Sequence, residues 1–282
     1  MTALASSSIP SLTLLYELRK LSPAPTGSTL PPTLLGPNTG TVLPPPSKTL
    51  NDRVGLIRGD ITKLAVDAIV NAANRSLLGG GGVDEAIHRA AGPQLYLECR
   101  GLGGCETGSA KMTAAYALPC QRVIHAVGPV YNPFNPEGSE RLLTGCYTRS
   151  LELAVEAGCR TVAFSAISTG VYGYPSEEAA PAALSAIRKF LVGPDGGKID
   201  KVVVVTFERK DVEAYNEVLP LYFPPVAEDQ TTTDREKETS ETEARLTAEA
   251  EAVANELPST PTSDPYDVGH AGKKQKHKQM ED

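Results

Sequence analysis

The sequence predicts a three-layer α/β/α fold around a mixed, largely parallel β-sheet, and three observations support this. Between residues 50 and 223, short apolar runs alternate with segments of helical periodicity, as parallel strands alternate with crossover helices. The run at 66–71 has an unbroken Ala-Ile-Val core, as in a strand covered on both faces. Two glycine-rich stretches, 79–82 and 168–175, each lie between a strand and a helix start, where α/β sheets bind ligands.

The individual elements follow from local signals. Strands are expected at 54–58, 66–71, 109–115, 122–127, 161–167 and 202–206. Helices are expected at 83–101, 139–157, 176–191 and 211–219. The first segment forms either one helix or two with a break near Gly92 and Pro93, since proline is tolerated only at a helix start. Gly158 stands where a C-terminal cap belongs. Residues 131–138, with two prolines and two asparagines, are expected to form a surface loop.

Composition divides the chain into three parts. Residues 1–50 are rich in Pro, Ser and Thr and are expected to be mostly disordered, with a short helix near 12–21 that docks on the domain or binds a partner. Residues 51–223 form the domain. Residues 224–282 are expected to be a disordered acidic tail with a basic end at 273–278, which is either a nuclear import patch or a solvated tail.

The charge distribution argues against nucleic-acid binding. Residues 226–282 hold 14 of the 34 acidic and 7 of the 27 basic residues, so 20 of each remain in the body, which is neutral. Binding to nucleic acid needs a basic face. No apolar run approaches the ~18 residues of a membrane span, so we expect no membrane insertion.

The cysteines and histidines indicate a reducing compartment and no metal site. Five cysteines without a paired short spacing suggest free thiols in a cytoplasmic or nuclear protein. The four histidines are far apart in sequence and there is no Cys-x-x-Cys, which disfavours a zinc site. We expect a monomer without a cofactor.

The run Gly79–Gly82 predicts a phosphate site. Glycines between a strand and a helix start let main-chain N–H groups lie against an anion at the positive end of the helix dipole. The alternative is a flexible linker, but linkers are surrounded by Ser, Pro and charge. This run instead lies between two leucines and an amphipathic helix.

With these motifs in place, residues 50–222 resemble the MacroD-type macrodomains, which are ADP-ribosyl-ester hydrolases. The motifs that carry the resemblance are Gly-Asp-Ile-Thr at 59–62, Val-Asp-Ala-Ile-Val-Asn-Ala-Ala-Asn at 66–74, Leu-Leu-Gly-Gly-Gly-Gly-Val-Asp at 77–84, Ile-His-Arg-Ala-Ala-Gly at 87–92, Thr-Gly-Ser-Ala-Lys at 107–111, Val-Ile-His at 123–125 and Ile-Ser-Thr-Gly-Val-Tyr-Gly-Tyr-Pro at 167–175. One of these motifs alone would be weak. Their common order and spacing are specific.

The resemblance implies a ligand-binding role for thirteen residues. Asp60 would accept a hydrogen bond from the adenine amino group, Ile61 would donate its N–H to the ring, and Phe207 would stack on it. Without the family, Asp60 is a turn cap and Phe207 a core residue. Asn71 would support the first loop. The phosphates would be held mainly through main-chain N–H groups by Gly80, Gly81, Gly82 and Val83 in that loop and by Ser168, Thr169, Gly170, Val171 and Tyr172 in the second.

The resemblance also implies three catalytic residues. One of Asn74 and Asp84 would fix the distal ribose hydroxyls while the other positions or deprotonates a water. His88, four residues after Asp84, would hydrogen-bond the carboxylate. Without the family, Asp84 is a helix N-cap and His88 a satisfied helix histidine. Many relatives have glycine where this chain has Glu85. Its carboxylate would either raise the pKa of Asp84 or repel the diphosphate, or it would face solvent and favour the helix dipole. We expect it to face solvent.

The implied function is hydrolysis, without a metal, of esters on the distal ribose of ADP-ribose. The implied substrates are mono-ADP-ribosylated Asp or Glu on proteins and O-acetyl-ADP-ribose. One alternative is a reader that binds ADP-ribose without cleaving it, although a reader has no need of Asp84 and His88. Another is a phosphatase that acts on ADP-ribose 1″-phosphate. General RNA binding is disfavoured by the neutral body.

Overall fold

A computed structural model describes residues 3–30 and 43–226. The predicted acidic tail from 227 onward, its basic end and residues 31–42 lie outside these described residues. The strands are β1 Leu4–Ala5, β2 Val54–Arg58, β3 Leu64–Ala65, β4 Ala68–Ala73, β5 Ser109–Ala114, β6 Arg122–Val127, β7 Thr161–Ser165 and β8 Lys201–Thr206. The α-helices are α1 Leu12–Glu17, α2 Lys48–Asp52, α3 Val83–Ala91, α4 Pro93–Gly101, α5 Pro136–Glu156, α6 Ser176–Val192 and α7 Arg209–Tyr222.

Among the described residues, the central sheet has six strands in the order β2-β8-β7-β4-β6-β5. Every neighbouring pair is parallel except β5 with β6. Alternate residues of one strand face opposite sides: Ile69 lies in the core beneath α3 and α4, whereas Val70 lies in the core beneath α5, α6 and α7. The predicted three-layer fold with a mixed, largely parallel sheet is therefore confirmed.

Strand β4 begins two residues later than predicted, at Ala68 rather than 66. Asp67 explains the shift, because its carboxylate caps the start of the neighbouring strand. Its Oδ2 accepts hydrogen bonds from the N–H groups of Arg160 and Thr161 at 2.8 and 2.9 Å. The strand also extends to Ala73, so it ends directly before the first glycine-rich loop.

The helices differ from the prediction mainly at their ends. The segment 83–101 forms two helices, broken at Gly92, which has a φ of 85°. Helix α5 begins at Pro136 instead of 139, because Asn135 caps it by accepting a hydrogen bond from the Gly138 N–H at 2.9 Å. Among the described residues, no helix has the length and apolarity needed to cross a bilayer.

The expectation that residues 1–50 are mostly disordered does not hold for the described residues 3–30 and 43–50. Leu12, at the start of α1, is fully buried in the core, and Tyr16 Oη donates a hydrogen bond to the Phe223 carbonyl at 2.9 Å. Strand β1 pairs with β3, and Lys201 Nζ donates to the Ser6 carbonyl at 3.1 Å. Of the two roles considered for the short helix, docking on the domain is the one observed.

Candidate functional site

The predicted site residues lie where parallel strands end. Strands β2, β8, β7, β4 and β6 all run in one direction, so their carboxyl ends share one edge of the sheet, where ligands of open α/β sheets bind. Asp60 follows β2, Phe207 follows β8, the loop at 168–175 follows β7 and the loop at 74–82 follows β4. The fold therefore brings the sequence-predicted residues to one edge.

Asp60 and Phe207 are placed side by side because β2 and β8 pair with Arg58 opposite Thr206. Asp60 Oδ1 accepts hydrogen bonds from Thr62 N and Oγ1 at 2.9 and 2.7 Å, so it caps the turn that follows. This cap uses Oδ1; no described residue donates to Oδ2, and the residue is exposed, so Oδ2 can accept from a ligand. Phe207 is 58% exposed, which is inconsistent with the alternative of simple core packing.

The adjacent Ile61 is buried, with 3% of its surface exposed. Its side chain therefore belongs to the core, and only its main chain is available for the predicted contact with adenine.

The first glycine-rich loop is closed by Asn74. The Asn74 Nδ2 donates to the Gly79 carbonyl at 2.8 Å, and its Oδ1 accepts from Ser76 N and Oγ at 3.0 and 2.6 Å. Gly79 and Gly82 have φ angles of 87° and 66°, which side chains rarely tolerate. Asn74, predicted as a catalytic residue, thus also builds the loop.

Gly80 separates the two predicted catalytic side chains. A Cβ at this position would lie 3.1 Å from Asn74 Nδ2 and 3.2 Å from Asp84 Oδ2. The N–H groups of Gly80, Gly81 and Gly82 donate no hydrogen bond within the described part of the chain. They precede Val83, the first residue of α3, so unpaired N–H groups meet the positive end of a helix.

Asp84 is buried at the start of α3, with 2% of its surface exposed. Its Oδ1 accepts a hydrogen bond from Asn71 Nδ2 at 2.7 Å, whereas its Oδ2 has no partner among the described residues. Burial raises the pKa of Asp84, opposed by the Asn71 hydrogen bond and by His88. The N-cap of α3 is Gly82, so the alternative of Asp84 as an N-cap is wrong.

His88 lies beside Asp84 but does not make the expected hydrogen bond. Its Nε2 is 3.4 Å from Asp84 Oδ1 and has no hydrogen-bond partner in the described residues. Asn71 is the donor to that oxygen instead.

Glu85 is directed to solvent, as expected, where its carboxylate lies 3.5 Å from Arg89 Nη1.

His125 was quoted in a motif but was not predicted as a site residue, and it completes a buried network. Its Nδ1 lies 3.2 Å from Asn71 Nδ2 and its Nε2 3.0 Å from Thr113 Oγ1. Burial, assisted by the charge of His88, lowers the pKa of His125 to about 3. A neutral imidazole whose Nδ1 accepts from Asn71 carries its proton on Nε2, so the Asn71 amide is held with its N–H groups toward His125 and Asp84.

The fold also brings together three groups able to ligate a metal, although their sequence separation had disfavoured this. Ligand atoms of His88, Cys99 and His125 lie within 4.8 Å of one another. Both nitrogens of His125 already have hydrogen-bond partners. Burial raises the pKa of the Cys99 thiol to about 11, and a thiol binds metals as the thiolate. The contacts of His125 favour a structural role for this residue in the hydrogen-bond network with Asn71 and Thr113 over metal ligation.

The second loop is held from α7 by a residue that sequence reasoning missed. Asp211 is 3% exposed and accepts hydrogen bonds from Thr169 Oγ1 at 3.2 Å and Ser176 Oγ at 2.7 Å. Lys210 Nζ donates to the Thr169 carbonyl at 2.7 Å. Burial raises the pKa of Asp211, and the two hydroxyl hydrogen bonds oppose this. A helix start such as 209–211 gives no sequence signal for this contact.

The second loop has a strained backbone at its first residue. Ser168 has a φ of 69°, and its buried Oγ has no partner among the described residues. Gly128, after β6, is required here because a Cβ would lie 2.1 Å from that Oγ. Gly170 and Val171 are exposed, and the Tyr172 carbonyl accepts from Tyr131 N at 2.9 Å. The loop is thus fixed at both ends, with its tip open to a ligand.

These features define a macrodomain, and comparison with known proteins agrees. The macro domain profile matches residues 70–183. A macro domain-containing protein of Chlorobaculum tepidum is 54% identical over 169 residues, which cover 60% of this chain and 96% of the relative. The chain belongs to the macro domain family.

Two further proteins are informative about ligands. The ADP-ribose glycohydrolase MACROD1 of Bos taurus is 53% identical over 177 residues, covering 63% of this chain and 54% of that protein. The chain thus spans about half the length of this relative. A solved Trypanosoma brucei macrodomain in complex with ADP-ribose is 36% identical, with a TM-score of 0.57, covering 72% of this chain and 95% of that one.

Proposed function

We propose that this protein hydrolyses esters on the distal ribose of ADP-ribose, releasing ADP-ribose from mono-ADP-ribosylated Asp or Glu and acetate from O-acetyl-ADP-ribose. The observation that carries the proposal is the state of Asp84. Its carboxylate is buried beside a glycine-rich loop, with one oxygen held by Asn71 and the other unpaired and facing Gly80. A binding module alone has no use for such a group.

The ligand would lie along the carboxyl edge of the sheet. Adenine would contact Asp60 and Phe207 at β2 and β8, and the diphosphate would lie between the loops after β7 and β4. The distal ribose would then lie near Asn74 and Asp84. Binding energy from adenine and diphosphate would hold the ester in place, a contribution that distant substrate groups make to the reaction rate.

Asp84 would act as a general base on a water molecule. Oδ2 would accept a proton as the water oxygen attacks the acyl carbon, and the bond from that carbon to the ribose oxygen would then break, with the proton passing to the leaving hydroxyl. Attack at the acyl carbon would release ADP-ribose from a modified protein and acetate from O-acetyl-ADP-ribose by the same reaction. Burial raises the pKa of Asp84, which makes the carboxylate a stronger base; a general base contributes ~10²–10⁴-fold to the rate.

The test is release of ADP-ribose from an acceptor labelled through glutamate. We expect release by the wild type, strongly reduced release by Asp84→Ala and Asn74→Ala, and normal release by Glu85→Gln, which removes an exposed carboxylate next to Asp84. Tight binding of ADP-ribose without release would show a reader instead. Unchanged release by Asp84→Ala would remove the role given to this residue.

We further propose that the protein works in the cytoplasm or nucleus. Its five cysteines are all free thiols and all buried, which suits a reducing compartment. Fluorescence microscopy of the full chain in its native cells tests this, and a secreted protein would contradict it.

A further inference from the structure

A second concave surface adjoins the first glycine-rich loop. It is a pocket of about 630 Å³, within the range of ligand sites. One wall is the turn after β4, with Arg75 and Ser76; the others are the segment from Arg100 to Glu106 and Lys111 on β5. Apart from Ser76, which bonds to Asn74, none of these residues has a role in the site described above.

The pocket is fixed to the loop that holds the proposed catalytic residues. Cys105 N donates to the Arg75 carbonyl at 2.9 Å, and a Cβ on Gly104, whose φ is 84°, would lie 2.8 Å from the same oxygen. On the other side, Ser76 Oγ donates to Asn74 Oδ1 at 2.6 Å. The pocket and the loop therefore share one rigid turn.

The pocket is positively charged although the domain, residues 51–223, holds 17 basic and 19 acidic residues. It contains Arg75, Arg100 and Lys111 but only one carboxylate, that of Glu106. Glu106 pairs with Arg75 at 3.1 Å. Lys111 Nζ donates to the Leu102 carbonyl at 2.7 Å, and Arg100 has no ion pair in the described part of the chain. Within the described residues, the positive charges of Arg100 and Lys111 thus remain without a counter-charge.

The order of the strands places this pocket at one end of the proposed ligand. The adenine end lies at β2 and β8, the diphosphate between the loops of β7 and β4, and the distal ribose at the loop of β4. Lys111 lies on β5, at the far edge of the sheet beyond β4 and β6. The pocket therefore lies next to the end of the ligand at which the distal ribose and its acyl group would be held.

We propose that this basic pocket binds acidic side chains that flank the modified Asp or Glu of a mono-ADP-ribosylated polypeptide. The proposal rests on the proposed function, because it assigns a place to the polypeptide part of the substrate. Carboxylates next to the modified residue would meet Arg100 and Lys111, which have no carboxylate partner among the described residues. O-acetyl-ADP-ribose has no polypeptide and would not use the pocket.

The experiment compares three substrates: a peptide ADP-ribosylated on glutamate with acidic flanking residues, the same peptide with Asn and Gln flanks, and O-acetyl-ADP-ribose. The variant is Arg100→Glu, and the matched control is Arg122→Glu, a charge reversal at the exposed start of β6. For the wild type we expect a KM for the acidic peptide about three- to five-fold below that for the neutral peptide. A difference of this size is what exposed charge pairs contribute to binding. Arg100→Glu should remove this difference and leave kcat unchanged, and salt should diminish it.

Equal KM values for the two peptides in the wild type, or an unchanged difference in Arg100→Glu, would overturn the proposal. Turnover of O-acetyl-ADP-ribose reports separately on the proposed function and should be the same in all three proteins. Should none of the substrates be cleaved, the dissociation constants of the two peptides carry the test, and equal constants would overturn the pocket assignment.

Discussion

The neutral state of buried His125 predicts how the stability of the protein depends on pH. The pKa of this group falls from its usual 6.5 to about 3 on folding, so between these values the unfolded chain binds a proton that the folded protein does not. Stability contributed by a group with a lowered pKa is present above the unfolded pKa and is lost as the pH falls toward the folded one. His125 should therefore destabilise the protein progressively below pH 6.5.

The size of this effect follows from the shift. At pH 4.5 the medium is two pH units below the unfolded pKa, and each unit corresponds to ~1.4 kcal/mol, so the loss relative to neutral pH is about 2–3 kcal/mol. The assay is urea unfolding at pH 6.5 and 4.5 for the wild type and His125→Gln. Glutamine can still accept from Asn71 and donate to Thr113, but it does not titrate.

We expect the wild type to lose about 2 kcal/mol more than His125→Gln between the two pH values. Asp84, Asp211 and the other titrating groups are present in both proteins, so their effects largely cancel in the comparison. Parallel loss of stability in the two proteins would refute the assignment of His125 as a neutral partner of Asn71.

Three further substitutions test other parts of the structure. Gly80→Ala places a methyl group between the two proposed catalytic side chains and should lower kcat on the order of ten- to hundred-fold. The circular dichroism spectrum should be unchanged. Normal turnover would show that the substrate and water do not use the space between these side chains. Asp211→Asn weakens the support of the second loop and should raise the Kd for ADP-ribose, measured by calorimetry, about ten-fold, as expected for loss of a hydrogen bond to a charged group. The control Glu213→Gln, on the exposed face of the same helix, should leave this Kd unchanged. Leu12→Ala should lower the free energy of unfolding in urea by about 2–4 kcal/mol, because it opens a cavity in the core, and a change below about 0.5 kcal/mol would mean that the N-terminal helix does not contribute.

The local features of the fold could be predicted from the sequence, because they depend on neighbouring residues. Apolar runs located the strands of the central sheet, and glycines located both loops. For the segment 83–101, the sequence left open whether it forms one helix or two with a break near Gly92 and Pro93. The start of β4 was missed because Asp67 bonds to Arg160 and Thr161, which are distant in sequence. The docking of residues 3–30 also depends on contacts that composition does not reveal.

Only part of the site could be predicted, because the sequence shows local motifs but not the contacts between residues that are distant in the chain. Asp84 and Asn74 belong to a recognisable motif, but the network around them depends on strand register. Strands β4 and β6 pair with Asn71 opposite His125, and a register of one residue more or less would move the imidazole to the other face of the sheet. Asp211 likewise contacts the second loop only because α7 packs beside it. Neither contact has a local sequence signal.

The central claim is that two main-chain loops at one edge of the sheet hold the diphosphate of ADP-ribose. Isothermal titration calorimetry of the folded protein with ADP-ribose tests it most directly. We expect one molecule bound per chain, with markedly weaker binding of adenosine, which lacks the diphosphate. No heat of binding, or equal affinity for adenosine, would contradict the account.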